Sequence, residues 1–311
     1  MKVTIPSGFK IGHFNDDYTG VTVILSKGAV AGCDCRGGGP GTRETDLLRP
    51  EKAMQKINAV VLTGGSAYGL ASTVGVMEYL QKNGVGYKVG NKLVPIVTGA
   101  VIYDLNDRDY HYPTAEYGFK ACENAGKTLE FGNIGVGKGA TVGKIRGIKH
   151  ASKSGVGAAS VKVAGVTVTA VVAVNALGDV VDPETNKIIA GAKGKNGEFI
   201  DTEKCLSDGE FLKLLLGTNT TIGCILTDAK LDKVGANKLA TIAHNGLART
   251  IRPVHTDYDG DTLFVMSSDK KPVVNFAVLQ SAVVKATMQA VVNAVTLTKD
   301  YEVICEEETE E

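Results

Sequence analysis

Tryptophan is absent from the 311 residues, and aromatic side chains make up only 6% of them. Net charge is also missing: 34 Lys and Arg stand against 34 Asp and Glu. A balanced chain offers no basic field for nucleic acid or for an anionic membrane surface, so neither is expected as a partner. The N-terminus, Met1-Lys2-Val3-Thr4-Ile5-Pro6, has no apolar signal core. No run approaches the roughly 18 consecutive apolar residues of a membrane span. The six cysteines are scattered; Cys33 and Cys35 form a Cys-x-Cys, too few ligands for a structural zinc site. Without an export signal, reduced thiols and a cytoplasmic location are expected. The five histidines lack a metal-binding spacing such as His-Glu-x-x-His. His244 falls in a long helical pattern and reads as a surface or core residue.

What is present is glycine, 38 residues of it, in a chain 43% hydrophobic and 22% charged. That composition is globular, with many tight turns and close backbone approaches. Val21 to Leu25 and Ala29 to Cys35 read as two strands about a turn at Lys27-Gly28. Ala59 to Leu62 is a buried strand running through Thr63-Gly64-Gly65 into a helix from Ser66 to Lys82. Val94 to Val97 is another strand, and Thr114 to Asn124 a helix. Val156 to Val163 and Val166 to Val174 form a hairpin about Gly165. Asp182 to Asp208 is a polar surface excursion, followed by a short helix at 210–216. The apolar stripe Leu231, Val234, Leu239, Ile242, Ala243, Leu247 and Ile251 marks a helix with Asp232 as cap and Pro253 as stop. Thr262 to Met266 is a strand, and Asn275 caps a second long helix to Val295. The acidic tail from Glu306 is expected to be mobile. Without strict βα alternation, a layered α+β fold is favoured over a doubly wound sheet.

Gly217-Thr218-Asn219-Thr220 is a polar turn running into the β-branched strand Thr221-Ile222-Gly223-Cys224-Ile225-Leu226. Thr220 thus sits at the mouth of a core strand, rigid behind and open in front. A threonine hydroxyl needs a base, and one solution uses its own α-amine, freed when the chain is cut before it. Asn219-Thr220 is the bond such a cut requires, by an N-to-O shift. The competing reading is a Thr-rich strand start.

Three other motifs fall short. Gly132-Asn133-Ile134-Gly135-Val136-Gly137-Lys138-Gly139 resembles a phosphate loop, but Gly139 stands where a metal-binding hydroxyl belongs. Gly64-Gly65-Ser66-Ala67-Tyr68-Gly69 places its second glycine one residue too late for a nucleophile elbow; Ser66 as helix cap is the simpler reading. Asp257-Tyr258-Asp259-Gly260-Asp261 lacks the glycine and glutamate positions of a calcium loop. Asp259 and Asp261 stand open between an Asp-Gly turn and a functional carboxylate pair.

Five stretches in order resemble one family: Gly38-Gly39-Pro40-Gly41-Thr42-Arg43-Glu44-Thr45-Asp46, Leu62-Thr63-Gly64-Gly65-Ser66-Ala67-Tyr68-Gly69-Leu70, Asn219-Thr220-Thr221-Ile222-Gly223 with Thr227-Asp228-Ala229, Gly246-Leu247-Ala248-Arg249-Thr250-Ile251-Arg252-Pro253, and Asp259-Gly260-Asp261-Thr262. They resemble the DmpA-like family of L-aminopeptidase/D-esterases, β-aminopeptidases and nylon oligomer (6-aminohexanoate oligomer) endohydrolases, over nearly the whole chain. The resemblance implies an α+β, four-layer α/β/β/α sandwich of the N-terminal-nucleophile type. It implies one domain, 1–311, self-cleaved into 1–219 and 220–311, and a homo-oligomer, a tetramer of processed heterodimers. By that likeness Thr220 is the nucleophile and its freed amine the base. Asp259 and Asp261 position it, and Asn175 supplies an oxyanion donor. Lys144 and Tyr103 are further active-site members. Lys138 competes with Lys144, which is preferred because it ends the Gly139-Ala140-Thr141-Val142-Gly143 run. No metal or organic cofactor is implied.

The chain departs from aminopeptidase members at Ala100-Val101-Ile102-Tyr103-Asp104. Val101 stands where a substrate-binding glutamate would hold a free amine, and a valine cannot offset an ammonium charge. The expected substrate is therefore a small peptide or linear oligoamide of the nylon oligomer type. A strict aminopeptidase/D-esterase is the alternative. An ornithine-acetyltransferase-like acyltransferase and a nucleotide-binding module are weaker ones.

Overall fold

A computed structural model describes residues 2–105, 110–126, 130–209, 218–273, 275–296 and 302–306. Its centre is a nine-stranded sheet with the spatial order Val156–Val163, Val166–Asn175, Thr220–Ala229, Thr262–Lys271, Gly20–Cys35, Lys56–Thr63, Val97–Val101, Thr42–Arg43, with Lys10–Asn15 paired to the first half of Gly20–Cys35. The expected pair of strands about Lys27-Gly28 is one 16-residue strand instead. The pairing with Lys56–Thr63 shifts register between Leu25 and Ala29, so Lys27-Gly28 is an irregularity within the strand, not a turn. This strand joins two halves of the sheet. Residues 20–25 pair with Lys10–Asn15, and residues 30–35 pair with Thr262–Lys271.

The alternation of apolar residues then builds four layers. Ile24, Val60 and Leu62 from one half share a core with Val171, Ala173, Ile222, Cys224, Leu226, Phe264 and Met266 from the other. Their neighbours point outward. Val21, Val23, Ala59 and Val61 meet the helices Ser72–Lys82 and Ala115–Glu123. Val172, Val174, Ile225, Leu263 and Val265 meet the helices Lys233–Ala248 and Phe276–Thr296. Two sheet faces therefore pack against each other with helices outside, the four-layer α/β/β/α architecture. Phe264 is fully buried between the sheets, where truncation to Ala costs about 3–5 kcal/mol.

Glycine and alanine bring the layers close. A Cβ on Gly157 would lie 2.0 Å from the Ala290 carbonyl, and one on Gly32 would lie 2.3 Å from the Asn237 nitrogen. The helix Phe276–Thr296 is long and apolar enough by length and composition to cross a membrane, although its sequence lacks an unbroken apolar run. Here Ala282, Ala286, Ala290 and Ala294 face the sheet, and Asn293 Nδ2 donates to the Ala158 carbonyl at 2.8 Å.

Several local expectations shift. The helix expected from Ser66 breaks into Ser66–Gly69 and Ser72–Lys82. Gly65, at φ 81°, takes the cap position, so Ser66 caps nothing and itself has φ 52°. The strand expected at Val94 to Val97 begins at Val97, because Pro95 has no N–H for a ladder and separates it from Lys92–Val94. The polar excursion holds a strand, Ile188–Ala190, and a helix, Thr202–Ser207. Asp179 secures it by accepting from Ala192 N at 2.8 Å and Thr202 N at 2.7 Å. Glu302–Cys305 pairs in parallel with Lys2–Ile5, and Glu306 bonds Lys162 at 3.1 Å. The helix expected at 210–216, and the tail beyond Glu306, lie outside the described residues. Asp232 and Asn275 act as the expected caps, accepting from Gly235 N at 2.7 Å and Ala277 N at 2.9 Å.

Candidate active site

Thr220 opens the strand Thr220–Ala229 and is 3% exposed. It lies directly across the ladder from Asn175, the last residue of Val166–Asn175. Two residues further along the same face, Ile222 points into the gap between the sheets, so Thr220 sits at the mouth of that gap. Its Oγ1 donates to the carbonyl oxygen of Asn219 at 2.5 Å. The same oxygen accepts the Gly260 N–H at 2.8 Å. The peptide bond before Thr220 is thus held by a main-chain donor on one side and by the Thr220 hydroxyl on the other.

The acidic pair frames this bond. Asn219 bridges Asp259 in parallel fashion. Asp261 Oδ1 accepts from Thr221 N at 2.7 Å, and its Oδ2 accepts from His255 N at 3.1 Å and bonds His255 Nδ1 at 2.8 Å. Asp259 Oδ2 accepts from Thr256 Oγ1 at 2.5 Å, and its Oδ1 accepts from Leu177 N at 3.3 Å. Desolvation, followed by the Asp261 charge, pushes the Asp259 carboxyl above its ordinary range. The glycine-rich run after Cys35 holds the pair from outside: Arg36 N donates to the Asp261 carbonyl and Gly39 N to the Asp259 carbonyl, both at 2.9 Å. Both carboxylates are committed to N–H and O–H donors of the chain itself, and the described residues contain no cluster of metal-ligating side chains.

Asn175 and Lys144 join the cluster from other segments. Lys144 Nζ donates to the Asn175 carbonyl and to Asn175 Oδ1, each at 2.8 Å, and to the Thr218 carbonyl at 3.3 Å. Asn175 Oδ1 also accepts from Thr141 N at 3.1 Å, while Nδ2 donates to the Tyr103 carbonyl at 2.9 Å. Burial lowers Lys144 to about 7, against the raising effect of Asp259 and Asp104. The structure therefore brings Lys144, not Lys138, to Asn175. The Lys138 carbonyl instead serves Asn133 and Lys153.

Tyr103 reaches the cluster through its main chain. Val101 does not open onto it: 5% exposed, it packs where a Gly41 Cβ would lie 2.6 Å from its Cγ2. The phosphate-like loop has its amides occupied, Gly135 N by Asn15 Oδ1 and Val136 N by Thr22 Oγ1. A cavity of about 580 Å³ lies elsewhere, against Phe9, Ile11, Leu80 and Cys305, and contains none of the cluster.

Sequence reasoning missed the donors that are main-chain atoms, Gly260 N and Leu177 N, and it missed His255. Nothing in a sequence reports which N–H a carboxylate will meet. His255 carried one signal, its place six residues before Asp261. His244, buried and held by Nε2 to the Asp34 carbonyl at 3.0 Å, packs on His255 with ring centroids 4.8 Å apart. It is a core histidine, and desolvation keeps it below its usual range.

Comparison with known proteins gives the family. The chain is 42% identical over 291 residues to a protein named as an uncharacterized aminopeptidase from Mycobacterium leprae, covering 86% of this chain and 78% of that one. It is 31% identical over 278 residues to a 6-aminohexanoate-oligomer endohydrolase from Paenarthrobacter ureafaciens, covering 85% and 74%. The L-aminopeptidase D-Ala-esterase/amidase from Ochrobactrum anthropi, described as a variant of the Ntn hydrolase fold, superposes with a TM-score of 0.71 over 97% of this chain and 89% of that one, at 21% identity. The model of peptidase family S58 matches residues 4–307, and the chain belongs to that family.

Proposed function

We propose that this protein is a self-processing amide hydrolase whose nucleophile is the hydroxyl of Thr220. The observation that carries the proposal is the double hold on the Asn219 carbonyl, by Gly260 N and by Thr220 Oγ1. Attack of Oγ1 on that carbonyl carbon forms a tetrahedral intermediate whose oxyanion keeps the Gly260 N–H. Collapse breaks the C–N bond, leaves an ester on Thr220 and frees its amine. Water then hydrolyses the ester to the Asn219 carboxylate. In the uncut chain Lys144, which burial lowers to about 7, is the base assigned to this step. After the cut the new α-amine takes the hydroxyl proton, the hydroxyl attacks a substrate carbonyl, and water releases the acid. Asn175 is assigned to the oxyanion of that second reaction, and Asp259 and Asp261 to positioning the nucleophile. The chemistry calls for no metal or organic cofactor. The processed chains are expected to stay together as a cytoplasmic homo-oligomer.

The substrate class proposed is a linear acyl amide, including 6-aminohexanoate oligomers. Support comes from the sequence, which has Val101 where the resemblance places an amine-binding glutamate, and from the oligomer endohydrolase relatives. The names of the relatives at 41–42% identity favour a second reading, a strict aminopeptidase. Rates on a free-amine peptide amide, its N-acylated form and a nylon-6 oligomer separate the two. Hydrolysis of the acylated and oligomeric substrates supports the first; strict dependence on an adjacent free amine rejects it.

A further inference from the structure

The Cys-x-Cys pair offers too few ligands for a structural zinc site, yet the fold gives it a defined place. Cys35 is in register with Thr262, which is in register with Ile222. Side chains in register lie on one face of a sheet, and Ile222 points into the gap between the sheets. Cys33, two residues back, packs on that same inner core. Both thiols therefore line the gap at whose mouth Thr220 sits. Their sulfurs are 3.9 Å apart. Cys35 is exposed, whereas Cys33 is partly buried. Thr262 Oγ1 donates to Cys35 Sγ at 3.6 Å.

The two thiols are unequal. Cys35 is drawn down to about 7, chiefly by the Cys33 contact and also by the Thr262 hydroxyl, while Cys33 is pushed well up. At neutral pH a thiol with a pKa of about 7 is about half thiolate, against about 3% for an ordinary thiol near 8.5. A thiol with a pKa near the ambient pH is also the best attacking group in exchange.

We infer that Cys33 and Cys35 form a reversible thiol-modification site in the wall of the active-site gap, with Cys35 attacking small organic disulfides and Cys33 resolving the adduct. The Cys35 thiolate attacks one sulfur of glutathione disulfide, and one glutathione thiolate leaves. Cys33 gives up its proton, attacks the Cys35 sulfur and expels the second glutathione. The two protein thiols are oxidised to one disulfide, and one glutathione disulfide is reduced to two thiols. The sulfurs must close to about 2 Å for this bond. That draws on the strand end where Arg36 N holds the Asp261 carbonyl and Gly39 N the Asp259 carbonyl.

The test is independent of amidase activity. The full-length protein is incubated with glutathione disulfide at pH 7, denatured, alkylated and mapped by mass spectrometry. The expected result is a peptide spanning Cys33 and Cys35 that has lost two hydrogens and takes no alkyl group until dithiothreitol is added. Cys33→Ser should retain a stable glutathione adduct on Cys35, and Cys35→Ser should carry none on Cys33. The inference is overturned if Cys33 and Cys35 alkylate fully after treatment, or if the wild-type protein holds the same persistent adduct on Cys35 as Cys33→Ser.

Discussion

The main-chain N–H of Gly260 points at the carbonyl oxygen of Asn219 from 2.8 Å. This contact depends on residue 260 lacking a side chain. A Cβ there would lie 2.9 Å from Thr220 Oγ1 and 2.6 Å from the Gly39 carbonyl. Gly260→Ala should therefore displace the attacking hydroxyl and weaken the donor together. Losing one oxyanion donor costs about 10²–10³ in rate, so processing that takes minutes should take hours or longer. Intact mass against time measures it. The same measurement should show Thr220→Ala as a single chain and the wild type as residues 1–219 and 220–311. A wild type that turns over amides while uncut ends the mechanism.

Lys144 gives a stability signature with a definite sign. Its pKa is lowered from 10.5 to about 7 in the folded chain. Between these values the unfolded chain binds a proton that the folded chain has released. Stability should then rise with pH across that window. Lys144→Met should flatten the rise, read from urea midpoints at pH 7, 8 and 9 in an uncut Thr220→Ala background. An unchanged slope would mean that Lys144 is solvated. Asp259 works in the opposite sense: its raised pKa makes stability fall as pH climbs from about 4 through the folded value.

Asn175 joins three separate segments. Its side chain takes Thr141 N and Lys144 Nζ and gives to the Tyr103 carbonyl. Asn175→Ala removes the side-chain hydrogen bonds to Thr141 N and the Tyr103 carbonyl and leaves Lys144 Nζ only its main-chain acceptors, at about 1–3 kcal/mol for each group left unpaired. It should lower both the melting temperature and kcat. Asn175→Asp keeps the acceptor for Lys144 and Thr141 but loses the donor to Tyr103. It should recover most of the stability and little of the rate. Equal recovery of both by Asp would reduce Asn175 to a strut.

The elements of the sandwich were legible because its strands are β-branched runs and its long helices carry stripes and caps, whereas their four-layer stacking came through likeness to a family. Asp232, Asn275 and the Gly165 hairpin are local signals, and local signals survive in sequence. Lys27-Gly28 misled because a turn dipeptide also suits an irregularity inside a long strand, and only the partner strand decides between them. The pairing of Lys2–Ile5 with Glu302–Cys305 spans nearly the whole chain and leaves no local pattern. Thr220 showed locally as a hydroxyl at the mouth of a β-branched strand, whereas Asn175 and Lys144 were named only through likeness to a family. What the sequence withheld is which main-chain N–H groups serve the acidic pair, since every residue except proline carries one.

His255 is the residue of this site with the least support in sequence and the most specific geometry. It holds φ at 60°, a left-handed conformation costly for most residues and recurrent at functional sites. That conformation lets its own N–H and its Nδ1 both reach Asp261 Oδ2. The carboxylate so fixed then takes Thr221 N, next to the nucleophile, at 2.7 Å. His255→Asn tolerates the left-handed backbone and keeps a short side-chain donor, so processing and kcat should fall by less than about tenfold, given how well Asn suits that region. His255→Val loses the side-chain donor and resists φ above zero, so it should lose about 10² or more in both, the range for a misplaced catalytic group. KM should change little in either variant, because His255 acts through Asp261. Parallel fits of kcat and KM for the two variants decide it. If Val performs as well as Asn, the main-chain N–H groups of Thr221 and His255 hold the Asp261 carboxylate without the imidazole, which is then packing.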